Sequence, residues 1–187
     1  MPSHTRPIPT SSETATLQPK QRRESIQLLR VNHCGEVCAQ ALYLGQALVA
    51  RDATLRDELY QAASEEKDHL QWCTARLQEL EGDTSLLNPF FALSSLGIGA
   101  IAGLAGDSIS LGFLAETENQ VSDHLRNHLT LLPIEDTKSR AILQQMLSDE
   151  QQHATHALER GGQALPDVVR FGMKCLSKVM TVSTQYL

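Results

Sequence analysis

Two four-residue stretches each place a carboxylate and an imidazole side by side. One runs from Glu66 to His69 and the other from Glu150 to His153, and both read Glu-x-x-His. Residues with this spacing lie on the same face of an α-helix. Carboxylate oxygens and imidazole nitrogens are both ligands of first-row transition metals. Each stretch therefore predicts one half of a metal site.

Each Glu-x-x-His stretch follows a further glutamate that falls on an earlier helix. Glu36 precedes Glu66, and Glu118 precedes Glu150, by nearly the same number of residues. Two helical hairpins that each supply Glu and then Glu-x-x-His form the ligand set of a carboxylate-bridged di-iron four-helix bundle. The ligands predicted for the two irons are Glu36, Glu66, His69, Glu118, Glu150 and His153. We expect Glu66 and Glu150 to bridge both metals.

Helical periodicity separates these candidates from their acidic neighbours. Glu66 and Glu118 fall within the apolar stripes of their helices, as Glu150 does. The acidic neighbours that fall outside the stripes are Glu65, Glu116 and Asp149. The usual alternative for a helical Glu-x-x-His is a solvated face, but the stripes would here bury unpaired carboxylates at a high cost.

His124 follows Glu118 at a spacing that an ideal helix places on a different face. A π-bulge in the helix would turn it towards the metals. Without such a bulge, we expect His124 to contact a ligand from outside or to lie at the surface.

Composition and periodicity together predict one all-α domain. The 187 residues have 4% aromatics and many Ala and Leu residues, which favours helices, and the net charge of −6 offers no general basic surface for nucleic acid. Residues 1–20 are rich in Pro, Ser and Thr without an apolar core, so we expect a flexible tail and not a signal peptide. Helices are predicted over about 21–51, 53–81, 107–132, 135–161 and 166–182. The domain at 21–187 is thus a four-helix bundle with an added apolar segment and a C-terminal helix.

The added segment at 86–106 carries no charged residue and is rich in Gly, Ala, Leu and Ile. Its length approaches that of a bilayer span, but a span would place the two metal-binding hairpins on opposite sides of the membrane. We therefore favour an apolar surface element that enters one leaflet or lines a lipid-sized pocket. A buried helix between the hairpins is the alternative.

The cysteines form no Cys-x-x-Cys motif and no zinc-ribbon spacing. We expect all four, Cys34, Cys38, Cys73 and Cys175, to be small buried hydrophobic residues in a reducing compartment.

Several motifs in this order resemble the demethoxyubiquinone hydroxylases, the di-iron monooxygenases of ubiquinone biosynthesis. They are Leu-Arg-Val-Asn-His-x-Gly-Glu at 29–36, Glu-Lys-Asp-His-Leu at 66–70, a Gly/Ala-rich middle, Glu118 with His124, and Asp-Glu-x-x-His at 149–153. Asn-His-x-Gly-Glu is specific to the family, whereas Glu-x-x-His alone marks only the wider ferritin-like superfamily. The resemblance covers about 22–187.

The resemblance implies a ferritin-like fold, the same six ligands, two irons (Fe2+/Fe3+) per chain and a His124 near the metals. The implied substrate is a polyprenyl methoxy-methyl benzoquinol that lacks one ring hydroxyl, which the enzyme adds with O2. The implied location is peripheral, at the cytoplasmic side of the cell membrane. Homo-oligomers and other ubiquinone-biosynthesis proteins are implied partners. The resemblance also implies NADH as the direct reductant, although the chain shows no dinucleotide-binding fingerprint.

Two other functions remain open at this point. A ferritin-like ferroxidase or iron-storage protein would use the same six ligands, but the apolar segment argues against it because a storage shell needs soluble outer faces. A helical membrane-associated scaffold with buried ion pairs would have to explain six potential ligands on core faces.

Overall fold

The computed structural model describes residues 6–9 and 16–186, and the described chain forms α-helices and no strand. The all-α prediction is confirmed, and the helices begin and end close to the expected positions. They are α1 (Pro19–Val49), α2 (Ala53–Glu79), α3 (Asn88–Leu104), α4 (Asp107–Leu131), α5 (Thr137–Glu159) and α6 (Asp167–Thr184).

Local capping explains where several helices begin. The Asp52 carboxylate accepts a hydrogen bond from the Leu55 N–H at 2.8 Å at the start of α2. Asp136 does the same for the Ser139 N–H at 3.1 Å at the start of α5. Between α3 and α4, Gly106 has a φ of 117°, a conformation that favours glycine and permits the sharp turn.

The four helices that carry the candidate ligands form two hairpins. Helix α1 packs along α2, and α4 packs along α5. Helix α3, which the apolar segment forms, lies along α1 and also contacts α4, while α6 contacts α1 and α4. The two additional helices thus cover one side of the four-helix bundle.

The buried apolar side chains form two clusters with the candidate ligands between them in sequence. One cluster includes Leu42, Ala47, Leu55, Leu59, Leu111 and Leu114. The other includes Leu29, Trp72, Leu77, Leu125, Ile142 and Met146. On each of the four bundle helices, the candidate ligands lie between residues of the first cluster and residues of the second. This layer of charged groups is therefore shielded from water on both sides.

Helices α1 and α3 approach each other closely through glycine. A Cβ on Gly45 would lie 2.1 Å from the Leu96 carbonyl oxygen, and one on Gly99 would lie 2.0 Å from the Leu42 carbonyl oxygen. No side chain fits at either position, so the two backbones are in direct contact there.

Helix α3 has one buried face and one exposed face. Gly99, Ala102 and Gly103 are buried, whereas Phe90 and Leu93 are 65% and 72% exposed. The alternative of a buried helix between the hairpins is therefore wrong. Among the described helices, none is both long and apolar enough to cross a bilayer.

The cysteine prediction is only partly correct. Cys34 and Cys73 are buried and Cys38 is half-buried, but Cys175 is exposed on α6, and all four are free thiols. Helix α6 has only one fully buried residue, Thr184, so its small contact area leaves Cys175 outside the core.

The tail at 1–20 and the single domain at 21–187 stay predictions. Helix α1 already begins at Pro19. Within the tail, Arg6 contacts both α2 and α5 through hydrogen bonds to Asp68 and Asp149.

Candidate metal centre

The structure brings all six predicted ligands together inside the bundle. Glu36, Glu66, His69 and Glu150 form one group, and Glu66, Glu118, Glu150 and His153 form a second. Within each group, the ligand atoms lie within 4.8 Å of one another. Glu66 and Glu150 belong to both groups, which is the arrangement that bridging carboxylates need.

The His69 imidazole points Nδ1 at the first group. Its Nδ1 atom lies 3.0 Å from Glu66, 3.1 Å from Glu150 and 3.6 Å from Glu36, measured to the carboxylate oxygens. His69 and Glu66 are completely buried. The local i,i+3 spacing on α2 produces the first contact, and the packing of α1 and α5 on α2 produces the others.

His153 repeats this geometry in the second group. Its Nδ1 atom lies 3.3 Å from Glu150 and 3.6 Å from Glu118. Glu118 and Glu150 are buried, whereas the His153 side chain is 12% exposed. The two halves of the site are therefore similar but not equally closed.

The outer nitrogen of each imidazole meets a carboxylate that the sequence analysis placed outside the core stripes. His69 Nε2 lies 3.0 Å from Asp149, and His153 Nε2 lies 2.6 Å from Glu65. Each Glu-x-x-His helix thus supplies the carboxylate that holds the histidine of the other. Such partners fix the orientation of a ligating imidazole. The sequence signal was an acidic residue directly before Glu66 and Glu150 in both halves.

Tyr43 is a further site residue that the sequence analysis missed. It is completely buried on α1, and its hydroxyl donates a hydrogen bond to Glu118 Oε1. Burial, followed by the charge of Glu118, raises the pKa of Tyr43 well above its ordinary value. Tyr43 lies two helical turns after Glu36, on the same face, and this spacing was the available signal.

The packed charges shift one another's pKa values strongly. Burial, followed by the charge of Glu150, raises the pKa of Glu118 to about 8 and that of Glu66 well above its usual range. Although burial raises the pKa of Glu150, hydrogen bonds with His153 and His69 lower it to about 2. Although burial lowers the pKa of His69, the surrounding carboxylates raise it. The cluster therefore holds protons that a divalent cation would displace.

Two buried carboxylate oxygens fit the presence of metal ions. Glu66 Oε1 and Glu118 Oε2 have no hydrogen-bond partner among the described residues. Leaving a buried carboxyl oxygen unpaired is costly, whereas a divalent ion bound beside it would remove that cost. Four carboxylates and two imidazoles also suit two iron ions chemically.

A family model described as "Ubiquinone biosynthesis protein COQ7" matches residues 23–184 of this sequence. The chain belongs to this family.

Curated relatives cover nearly the whole chain. A protein of Azotobacter vinelandii is 59% identical over 180 residues, which are 96% of this chain and 84% of that relative. A protein of Alcanivorax borkumensis is 51% identical over 183 residues, which are 98% of this chain and 84% of that relative. Both relatives are named 3-demethoxyubiquinol 3-hydroxylase.

A comparison with solved structures confirms the ferritin-like fold. The dodecameric thioferritin of Bacteroides fragilis matches with a TM-score of 0.61 at 20% sequence identity, over 82% of this chain and 90% of that one. At this identity, the likeness concerns the fold alone.

In this COQ7-family chain, His124 does not join the cluster. Helix α4 stays α-helical through His124, so of the two alternatives for this residue the one with a π-bulge does not occur. The His124 ring packs against the His128 ring at a tilt of 54° with centroids 3.9 Å apart, and its buried Nε2 atom has no hydrogen-bond partner among the described residues. His124 lines a cavity that Glu36 also lines.

This cavity of about 370 Å³ lies between α1, α3, α4 and α6. Its lining is mostly apolar and runs from the buried Glu36 to the exposed side chains of Phe90 and Leu176. It therefore joins the candidate metal centre to the surface between α3 and α6, and an apolar ligand of moderate size fits it. The prediction that the apolar segment lines a pocket is consistent with this geometry.

Proposed function

We propose that this chain is a 3-demethoxyubiquinol 3-hydroxylase, a di-iron monooxygenase that adds a hydroxyl group to the ring of its quinol substrate with O2. The observation that carries the proposal is that one residue, Glu36, belongs both to the ligand cluster and to the wall of the apolar cavity. The curated relatives that cover most of this chain bear the same name. A ferroxidase or storage protein has no need of such a cavity.

We propose that the six clustered residues hold the two irons. Glu66 and Glu150, which belong to both groups, would bridge them, while Glu36 with His69 and Glu118 with His153 would complete one iron each. When bound, the irons supply the two electrons and the site of O2 activation that ring hydroxylation requires. The proposed ligands are thus Glu36, Glu66, His69, Glu118, Glu150 and His153.

The surrounding residues orient the ligands and the substrate. Asp149 and Glu65 form hydrogen bonds with the outer nitrogens of the two imidazole rings, and the Tyr43 hydroxyl donates one to Glu118. Asn32 and His124 line the cavity, and each has a buried nitrogen without a partner among the described residues. We propose that these two nitrogens bind the ring oxygens of the quinol, because a bound substrate would remove the cost of leaving them unpaired.

Labelled oxygen tests the proposed reaction. Iron-loaded chain is supplied with a short-tailed demethoxyquinol, a reductant and 18O2, and the product is analysed by mass spectrometry. We expect one labelled oxygen atom on the ring. Parallel reactions with dithionite and with NADH test the proposal that NADH is the direct reductant. If hydroxylated product forms with dithionite but not with NADH, the NADH proposal is wrong and the hydroxylase proposal still holds.

The same experiment distinguishes a hydroxylase from a ferroxidase. If the chain binds iron and consumes O2 while the quinol stays unmodified, the hydroxylase proposal is wrong and iron itself is the substrate. If no iron binds, both functions are wrong and the scaffold hypothesis gains support.

We propose that the mouth of the cavity faces a membrane surface at the cytoplasmic side of the cell membrane. Exposed apolar side chains on α3 and α6 support this location, because Phe90 and Leu93 on α3 and Phe171 and Leu176 on α6 are all more than half exposed. A polyprenyl tail would pass directly from the lipid into the cavity. Homo-oligomers and other proteins of ubiquinone biosynthesis stay predicted partners.

Removing the apolar side chains of α3 should weaken membrane binding. The double variant Phe90→Ser and Leu93→Ser is expected to lose most of its co-sedimentation with phosphatidylcholine vesicles, since burying each large apolar side chain contributes about 1.5–3 kcal/mol. Neutral lipid is chosen because the chain has a net charge of −6. Leu158→Ser on α5, which removes a side chain that is 49% exposed, is the matched control. Equal binding by the double variant and wild type would rule out α3 as the membrane contact.

A further inference from the structure

Arg6 precedes α1 by many residues, yet it joins two helices of the metal-binding bundle. Its Nε–H donates to Asp68 Oδ2 on α2 at 3.0 Å, and its Nη2–H donates to Asp149 Oδ2 on α5 at 2.9 Å. Its backbone N–H donates to Asp68 Oδ1 at 3.3 Å. The guanidinium group therefore bridges α2 and α5 at the His69 end of the ligand cluster.

Trp72 contacts both the side chain and the backbone of Arg6. The guanidinium carbon lies 4.9 Å from the centre of the indole ring, a cation–π distance, and Trp72 Nε1–H donates to the Arg6 carbonyl oxygen at 3.2 Å. The indole ring in turn contacts the His69 imidazole, with ring centroids 5.3 Å apart. Trp72 thus contacts both Arg6 and His69.

Arg6 contacts the ligand cluster both directly, with its Nη2 atom 3.4 Å from His69 Nε2, and through one oxygen atom of Asp149. Asp149 Oδ2 accepts the hydrogen bond from Arg6 at 2.9 Å and lies 3.0 Å from His69 Nε2. Asp149 Oδ1 accepts from the Gln145 amide at 3.0 Å. With both oxygens engaged, the Asp149 carboxylate has a fixed orientation, and it fixes that of the His69 ring.

The opposite end of the cluster lacks an equivalent of Arg6. Glu65, which holds His153, accepts from the Gln61 amide at 3.0 Å, and no guanidinium group donates to it within the described ranges. The Glu65 side chain is 38% exposed, whereas that of Asp149 is 10% exposed. Glu65 and His153 also line an open cleft of about 270 Å³. One end of the cluster is closed by Arg6, and the other end is open.

We infer that Arg6 is a positioning residue, which acts through Asp149 to fix the His69 ring and so tightens metal binding in the half of the centre that His69 and Glu36 form. This inference rests on the proposed ligand set. Arg6 also makes the two metal positions unequal, because it strengthens binding of the ion beside His69 and has no counterpart beside His153 in the described chain.

Cobalt titration of the full chain tests this role. Co2+ is used alone because its visible absorption reports its ligands and it does not oxidise in air as Fe2+ does. We expect wild type to bind two Co2+ ions, and Arg6→Ala to bind one of them about 10-fold more weakly, the lower limit for losing an outer partner of a metal ligand. The affinity of the other ion should stay close to the wild-type value.

Trp72 is the only tryptophan in the sequence and reports the Arg6 contact directly in metal-free protein. Its fluorescence emission should move to longer wavelength in Arg6→Ala, because the indole ring becomes more exposed to water. Arg6→Lys keeps the charge but cannot bond to both carboxylates at once, so its cobalt affinity should lie between those of wild type and Arg6→Ala. Arg126→Ala, which breaks an exposed pair with Asp123, is the control and should change neither signal.

Several outcomes would overturn the inference. Unchanged cobalt affinities with a shifted Trp72 emission would mean that Arg6 only packs against the ring, and an unchanged emission would mean that the contact is absent in solution. Equal weakening of both ions would indicate a general loss of stability instead of positioning. If wild type binds no cobalt at all, the proposed ligand set itself is wrong and the positioning role falls with it.

Discussion

Glu150→Gln is expected to lose both metal ions and all ring hydroxylation. Glu150 belongs to both ligand groups and is 1% exposed, so its two oxygens are available to two ions at once. An amide has one oxygen that can bind a metal and carries no charge. Because the loss of an outer partner alone costs about 10–100-fold in metal affinity, the loss of a shared ligand should cost at least about 100-fold for each ion. Iron content per chain, measured by atomic emission, checks this expectation.

Two further variants separate a bridging role from a general effect. Glu118→Gln, which alters a residue of one group only, should lose one ion and keep the other. Glu159→Gln makes the same chemical change at an exposed position of α5 and should keep both ions. Circular dichroism establishes that each variant stays helical. Full iron content in Glu150→Gln would show that the ligand assignment is wrong.

The clustering of the six candidate ligands could be predicted because each carries a local signal. The i,i+3 spacing places Glu66 beside His69, and Glu150 beside His153, within single helices. The apolar stripes indicate which face of each helix turns inward. Two similar hairpins then have one compact way to bury these faces, so the meeting of the two halves follows from their similarity.

The contacts that orient the ligands depend on tertiary packing and have weaker signals. Asp149 and Glu65 lie at the edge of the inward faces, and only the approach of α2 to α5 brings each within reach of the opposite histidine. The contact of Arg6 with Asp149 joins residues that are 143 positions apart and has no periodicity that could reveal it. Residue patterns identify faces of helices, whereas such partners depend on the distances between helices.

The packing of the apolar segment at 86–106 also could not be predicted from residue patterns alone. Its composition indicated an apolar element but not which face would be buried, because Gly, Ala and Leu occur on both. The packing that decides this is the direct contact of α3 with α1 at Gly45 and Gly99. This contact leaves Phe90 and Leu93 exposed and forms one wall of the cavity.

Gly99→Ala is therefore expected to destabilise the protein strongly. The new methyl group would lie 2.0 Å from the Leu42 carbonyl oxygen, and a backbone atom cannot move aside as a side chain can. Overpacking of this kind costs about 3 kcal/mol, at the upper end of the usual range. For a chain of this size, that loss corresponds to a fall in melting temperature of about 6–12 °C, which circular dichroism can measure.

Gly97→Ala is the matched control, because Gly97 lies on the same helix with nothing within 4 Å of its would-be Cβ. Replacing a glycine inside a helix by alanine stabilises it by about 0.5–1 kcal/mol when there is space, so this variant should melt slightly above wild type. A melting temperature for Gly99→Ala at or above that of wild type would show that α1 and α3 are not in direct contact.

If the contact exists, Gly99→Ala must push α3 away from α1 and widen the cavity. The variant should then keep its iron, which the other helices help to hold, but hydroxylate the quinol more slowly because the ring is held less firmly beside Glu36.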